Sequence, residues 1–300
     1  MTIARDNAEL PRLRSVERVL WGVFVLNLAV AAAKFFYGLA SGSASMQADG
    51  IHSVFDSFGN IVGLVGIVLA GRPADRGHPY GHSKFETYGS VVIGVLLLLA
   101  AFEVGSSAVG KLLSQDYTAV VTPASFAVML ATLAVNIAVT SYERVQGKKL
   151  HSEILSADAA HTLSDVFVSL GVIVGLVLVK MGFPMADPVM ALVVTVAILF
   201  SAFGVFRAAH ETLSDHARIP QEEIASAALS VEGVLDAHRI RTRGTEGEVY
   251  CDLHIHVDPD MPVKRAHEVG NRVEEHVMEL FPAVREVLVH IEPAGEEIER

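Results

Sequence analysis

Two nine-residue segments of this 300-residue chain carry the same set of chemistry-bearing side chains. Residues 48–56 read Ala-Asp-Gly-Ile-His-Ser-Val-Phe-Asp, and residues 157–165 read Ala-Asp-Ala-Ala-His-Thr-Leu-Ser-Asp. Both fit A-D-x-x-H-[S/T]-x-x-D. His52 with Asp56, and His161 with Asp165, are each four residues apart, so on a helix each pair shares one face a single turn apart. Two such helices side by side present two imidazoles and two carboxylates to a common point. That donor set suits four-coordinate Zn²⁺, with Fe²⁺, Co²⁺, Mn²⁺ and Cd²⁺ as competitors. One such pair in a soluble helix reads as ordinary hydrogen bonding. Two matching pairs within apolar runs, where an unpaired carboxylate costs several kcal/mol, read as a metal site. The preceding Asp49 and Asp158 have three readings: lining an access path, capping a helix, or, least favoured, ligating the metal directly.

Two further groups are rich in metal donors. The segment Pro73-Ala74-Asp75-Arg76-Gly77-His78-Pro79-Tyr80-Gly81-His82-Ser83-Lys84 carries Asp75, His78 and His82. These suit either a metal held at the membrane surface or a solvated loop without one. The last third of the chain is histidine-rich. His254 and His256 are two apart on a predicted strand and face one side, whereas Cys251 is offset from His254 by an odd number and faces the core. His238, His267 and His290 fall on the other predicted elements, with Glu292 two beyond His290, and His276 reads as an ordinary surface residue.

Two architectures must position these groups. The chain is 51% hydrophobic and 19% charged, with a mean hydropathy of +0.43, and the apolar residues are concentrated before Arg207. A bilayer-spanning helix needs about 20 mostly apolar residues. Six stretches qualify, at roughly 17–40, 46–70, 86–111, 120–143, 153–180 and 186–206, so an α-helical membrane protein with six transmembrane helices is expected. The apolar run after Arg5, Arg12, Arg14 and Arg18 is too long for a cleaved signal and reads as the first span. Ten Lys and Arg residues lie on one side of the predicted membrane and two on the other, which predicts both termini in the cytoplasm. The expected domains are an N-terminal segment 1–16, a membrane domain 17–206 and a cytoplasmic domain 207–300.

The segment from Arg207 to Arg300 holds 10 Lys and Arg against 20 Asp and Glu. That acidity excludes nucleic acid as a natural partner and favours cations. The single cysteine excludes an intrachain disulfide. Helices at 220–230 and 263–281 and strands at 236–243, 248–257 and 285–291 predict a compact α/β domain in the order αββαβ, with both helices on one face of a small open sheet.

Together, the two His-x-x-x-Asp pairs, the Asp-x-x-His-x-x-x-His-x-Lys loop and the histidine-bearing tail resemble the cation diffusion facilitators, over about residues 15–293. The resemblance implies six transmembrane helices, a ferredoxin-like cytoplasmic domain and a homodimer in the bacterial inner membrane. It implies a transport site at His52, Asp56, His161 and Asp165, and a loop site at Asp75, His78 and His82. Tail sites are implied at His238, His254, His267 and His290, with Glu292 where related bacterial transporters carry Asp. Lys84 and Asp215 match a charge interlock at the dimer's cytoplasmic face. The His-Asp pair of the second span looks like zinc-preferring members.

Carboxylate and imidazole ligands must be deprotonated to hold a dication, so loading releases protons. Proton-coupled antiport by alternating access is the expected mechanism, with a divalent metal as substrate and regulator and no enzymatic activity. Two other classes are an intramembrane metalloenzyme and a non-transporting metal sensor. The first lacks H-E-x-x-H, since His210-Glu211 and His267-Glu268 have no histidine three positions on. The second has no use for a buried polar path.

Overall fold

The computed structural model describes residues 3–41, 57–114, 123–183 and 185–295. The chain divides into two compact units, one over Asp6–Ala209 and one containing His210–Arg300.

The first unit is helical: α1 (Ile3–Ser41), α2 (Phe58–Ala70), α3 (Lys84–Ser114), α4 (Pro123–Leu150), α5 (Glu153–Lys180) and α6 (Ala186–Leu213). Each predicted span falls on one of these six helices, and residues 46–56 of the second span lie outside the described residues. Segments of α1, α3, α5 and α6, at Pro11–Ala33, Lys84–Ser114, Glu153–Gly175 and Pro188–Leu213, are long and apolar enough to cross a membrane, and α2 is a shorter apolar helix. Helix α1 begins earlier than expected and runs through Pro11.

Through these segments α1, α3 and α6 are apolar nearly all round, yet only one stripe of each is buried, whereas the first half of α5 is buried on most sides. On α1 that stripe is Leu13, Val16, Leu20 and Val23; on α3 it is Ile93, Leu97 and Ala101; on α6 it is Val194, Ile198, Ala202 and Val205. The three-to-four spacing is that of a single helix face. The opposite faces expose Leu99, Phe102, Phe200 and Phe203. Apolar surface of that extent belongs against lipid rather than water. Helices α2 and α3 touch at glycines: a Cβ on Gly66 would lie 3.5 Å from the Cα of Gly89, and Ile154 of α5 fills the groove beside both. Small residues at such crossings let helices associate by close packing where no hydrophobic force acts between them.

One end of this unit is tied by a buried charge. Glu86, in the first turn of α3, accepts a hydrogen bond at 3.0 Å from Arg12 of α1 and another from the Ser152 hydroxyl. Arg12 also donates to the carbonyls of Leu150 (2.7 Å) and His151 (2.8 Å), in the turn between α4 and α5. Ser152 caps α5, its Oγ accepting from the Leu155 N–H at 3.3 Å. Arg12 makes these contacts from the N-terminal part of α1, ahead of the apolar run.

The second unit holds α7 (Gln221–Leu229), β1 (Asp236–Thr245), β2 (Glu248–Val257), α8 (Val263–Leu280) and β3 (Val284–Pro293). The expected αββαβ order is present. The three-stranded mixed sheet has order β1-β2-β3, with β1–β2 antiparallel and β2–β3 parallel across α8. Val249, Cys251, Leu253, Ile255 and Val257 point from β2 into a core with Ile224 and Ala228 of α7 and Val269, Val273 and Val277 of α8. Both helices therefore cover the same face, and within this unit, among the described residues, they leave the other face, bearing His254 and His256, open. At the β1–β2 turn Gly244 has φ +120°, and a Cβ there would meet the Glu248 carbonyl at 2.2 Å, so only glycine fits.

Burial on the helix-covered face pushes the Cys251 thiol up to about 12. Cys251 should resist alkylation by iodoacetamide near neutral pH and react once denaturant opens the domain, as followed by mass spectrometry. Rapid labelling of the folded protein would mean that β2 shows its other face to the helices.

Candidate metal centres

His161 and Asp165 lie one turn apart on α5, and the structure buries the first and half-buries the second. His161 is 8% exposed, and neither ring nitrogen has a hydrogen-bond partner among the described residues. A buried polar ring without partners is costly, and a cation is one group that would satisfy it. Helix α2 approaches here through Gly59: a Cβ at that position would lie 3.6 Å from His161 Cδ2 and 3.7 Å from Asp158 Oδ1. His52 and Asp56, the other half of the expected donor set, lie outside the described residues, as does Asp49.

Around His161 runs a polar layer that joins four helices. Asn27 of α1 donates to Asn60 Oδ1 at 3.1 Å, and Asn60 of α2 donates to Asp158 Oδ2 at 2.5 Å. The Thr162 hydroxyl of α5 donates to Glu143 Oε2 of α4 at 3.1 Å. Asp158 is 1% exposed and Glu143 is fully buried, with its Oε1 unpartnered among the described residues. Asp158 is not a helix cap, because Ser152 serves that end of α5. Sequence reasoning missed Glu143, Asn27 and Asn60. The two amides in apolar runs were a visible signal. Glu143 was not, since it stands beside Arg144 and reads as the charged edge of the fourth span.

The loop residues do converge. Ligand atoms of Asp75, His78 and His82 all lie within 4.8 Å of one another. Asp75 Oδ1 accepts from the backbone N–H groups of Gly77 and His78, both at 2.7 Å, which leaves Oδ2 facing His82 Nε2 at 3.5 Å. His82 Nδ1 lies 3.1 Å from the Pro73 carbonyl. With its proton donated there, Nε2 presents its lone pair to Asp75, the orientation that a carbonyl hydrogen-bonded to the far ring nitrogen gives a metal-ligating imidazole. The backbone bond from His78, then that from Gly77, holds the Asp75 carboxyl below its ordinary range. The order this charge lends the loop is therefore present above the ordinary carboxylate pKa and is lost as pH falls through the lowered value.

On the open face of the sheet, strand register builds two rows. His238 of β1 pairs with His254 of β2, which pairs with His290 of β3; Asp236 pairs with His256, which pairs with Glu292. A bulge between His238 and Arg241, with Arg239 at φ +49°, is what turns His238 onto this face. Ligand atoms of His238, His254 and Glu292 come within 4.8 Å. Glu292 Oε1 lies 2.8 Å from His254 Nδ1 and 3.6 Å from His290 Nε2. The hydrogen bond with His254 is the main cause of a Glu292 carboxyl held below the ordinary glutamate range.

His267 departs from the expected set. It is exposed on α8, and α8 packs against the opposite face of the sheet, so within one chain it does not join His238, His254, His290 and Glu292. Lys84 opens α3 in the first unit, whereas Asp215 follows α6 in the second, with φ +54°.

An apolar six-helix unit with a buried polar layer, joined to an α/β domain with imidazoles on its open face, defines an integral membrane protein that handles metal ions. Two family profiles match the chain, one described as the cation efflux transmembrane domain over residues 20–214 and one as the cation efflux protein, cytoplasmic domain, over residues 218–294. The chain belongs to the cation efflux family, the cation diffusion facilitators, and is a divalent metal transporter. An uncharacterized transporter of Methanocaldococcus jannaschii is 32% identical over 282 residues, 93% of this chain and 99% of that protein. The manganese efflux system protein MneP of Bacillus subtilis is 27% identical over 286 residues, 91% of this chain and 94% of that one. Over the tail, a solved MamM CTD is 32% identical, covering 24% of this chain and 91% of that chain with a TM-score of 0.24.

Proposed function

We propose that the protein exports Zn²⁺ from the cytoplasm in exchange for protons, through a site formed by His161 and Asp165 of α5 with His52 and Asp56 of the second span. One observation carries this reading: His161 is buried with both ring nitrogens unpartnered among the described residues, one turn from Asp165 and beside the side-chain-free surface of Gly59. Two imidazoles and two carboxylates favour Zn²⁺. Imidazole titrates near about 6.5, so the same ligands exchange protons at physiological pH. Loading releases protons on the cytoplasmic side, and reprotonation from the other side ejects the ion as the helices alternate access around the site. The Lys and Arg bias supports a topology with both termini in the cytoplasm.

In the same reading, Asp75, His78 and His82 hold a metal at the cytoplasmic membrane surface. The tail histidines His238, His254 and His290, with Glu292, bind regulatory metal in a homodimer, where His267 would serve a site built with the partner chain. Lys84 and Asp215 interlock the dimer by charge. A second reading, export of Mn²⁺, is favoured by the relative named as a manganese efflux protein.

The test is flux in sealed proteoliposomes carrying a pH gradient, with Zn²⁺ and Mn²⁺ compared side by side. His161→Ala should abolish proton-coupled Zn²⁺ uptake, and collapsing the gradient should slow the unaltered protein. Full coupled flux in His161→Ala would sink the proposed site. Preference for Mn²⁺ would leave the site standing and change the cargo.

A further inference from the structure

The residues on the open face outnumber what a single ion at His238, His254 and Glu292 needs. Asp236 and His256 lie beside that group, and the way their atoms face one another is unusual. The His238 ring sits between two carboxylates, with Nδ1 at 3.1 Å from Asp236 Oδ2 and Nε2 at 3.0 Å from Glu292 Oε2. The His256 ring lies between the same two oxygens, with Nδ1 at 3.6 Å from Asp236 Oδ2 and Nε2 at 3.5 Å from Glu292 Oε2. The two ring centroids are 4.6 Å apart.

A neutral imidazole has one N–H and one lone pair. Each of these rings aims both nitrogens at carboxylate oxygens, so in the neutral state one lone pair of each faces an anion. Protonating both rings would remove that repulsion at the cost of two cations side by side. A single metal ion removes it with no such cost. At the Asp236 end three donor atoms converge, and ligand atoms of Asp236, His238 and His256 fall within 4.8 Å of one another. Two ligands on a tetrahedral ion with bonds of about 2.0 Å stand about 3.3 Å apart, and the contacts of 3.1 and 3.6 Å bracket that spacing. With the Nδ1 atoms on the ion, both Nε2–H groups donate to Glu292 Oε2, the carboxylate–histidine–metal arrangement that orients ligating imidazoles. Glu292 Oε1 stays free to serve His254 and His290.

We propose that Asp236, His238 and His256 form a second divalent-cation site on the open face of the tail sheet, adjacent to the His254–His290–Glu292 group and linked to it through the Glu292 carboxylate. It goes beyond the transport reading and does not depend on the direction or coupling of flux. The imidazole side chains are 15% and 13% exposed and the Asp236 side chain 51% exposed, so the fourth ligand is solvent and the ion exchanges with the bulk. Because one neutral imidazole holds one ion, His238 decides how cations distribute along the face.

The experiment is equilibrium dialysis of the full-length purified chain against graded free Zn²⁺, with bound metal counted by mass spectrometry. The double variant Asp236→Asn with His256→Gln should lose one Zn²⁺ per chain. The variant His254→Gln with His290→Gln should lose a different one, and the four substitutions together should lose both. Protection of Cys251 from alkylation in each variant establishes that the sheet still folds. Full stoichiometry in Asp236→Asn with His256→Gln overturns the proposal. So does loss of the same single equivalent by both pairs, which would show one shared ion.

Discussion

Arg12→Ala should destabilise the membrane unit by about 3–5 kcal/mol, the usual cost of stripping one partner from a buried ion pair. The substitution leaves Glu86, whose side chain is only 6% exposed, without the guanidinium that faces it at 3.0 Å. It also frees the Leu150 and His151 carbonyls from Arg12. Ser152 and the Ile154 N–H remain as donors, but neither carries charge. Thermal unfolding in detergent, followed by circular dichroism, measures the effect. Adding Glu86→Gln to Arg12→Ala should recover part of the loss, because the buried charge is then gone. A change below about 1 kcal/mol in the single variant, the range of solvent-exposed pairs, would show that water reaches Glu86.

Asp158→Ala should cut metal flux by about 10–100-fold, the range found when a residue supporting a metal ligand is removed. Asp158 accepts from Asn60, stands beside the Gly59 surface that also meets His161, and is 1% exposed. Alanine leaves the Asn60 amide unsatisfied in a water-poor interior and loosens the tie that runs to Asn27. Asp158→Asn separates two roles. It keeps an oxygen acceptor for Asn60 but removes the charge next to the ion path, and flux should stay at least about tenfold down for that reason. Recovery with asparagine would assign Asp158 to positioning alone, and normal flux with alanine would remove it from the transport machinery.

What could be read from residue order was whatever repeats over short distances. Helix spans appear as runs of apolar residues, and β2 as strict alternation that separates Cys251 from His254 and His256. The doubled A-D-x-x-H-[S/T]-x-x-D pattern appears because a four-residue step is one helical turn, whatever surrounds it. The tail elements match their predicted bounds closely for the same local reason.

Contacts between residues far apart in the chain were decided only by packing. Asn60 and Asp158 are 98 positions apart, and Arg12 and Glu86 are 74 apart. No periodicity links such pairs; glycines at 59, 66 and 89 let α2, α3 and α5 close on one another, and Gly63 and Gly71 face Leu20 and Leu13 of α1. Glu143 looks like an edge charge in one dimension and is fully buried in three, since α5 supplies Thr162 against it. On the tail, His238 lies three positions from Arg241, which plain alternation would put on opposite faces. The bulge at Arg239 places both on the open one. His267 went the other way, because a helix that covers one side of a sheet cannot lend its side chains to the other.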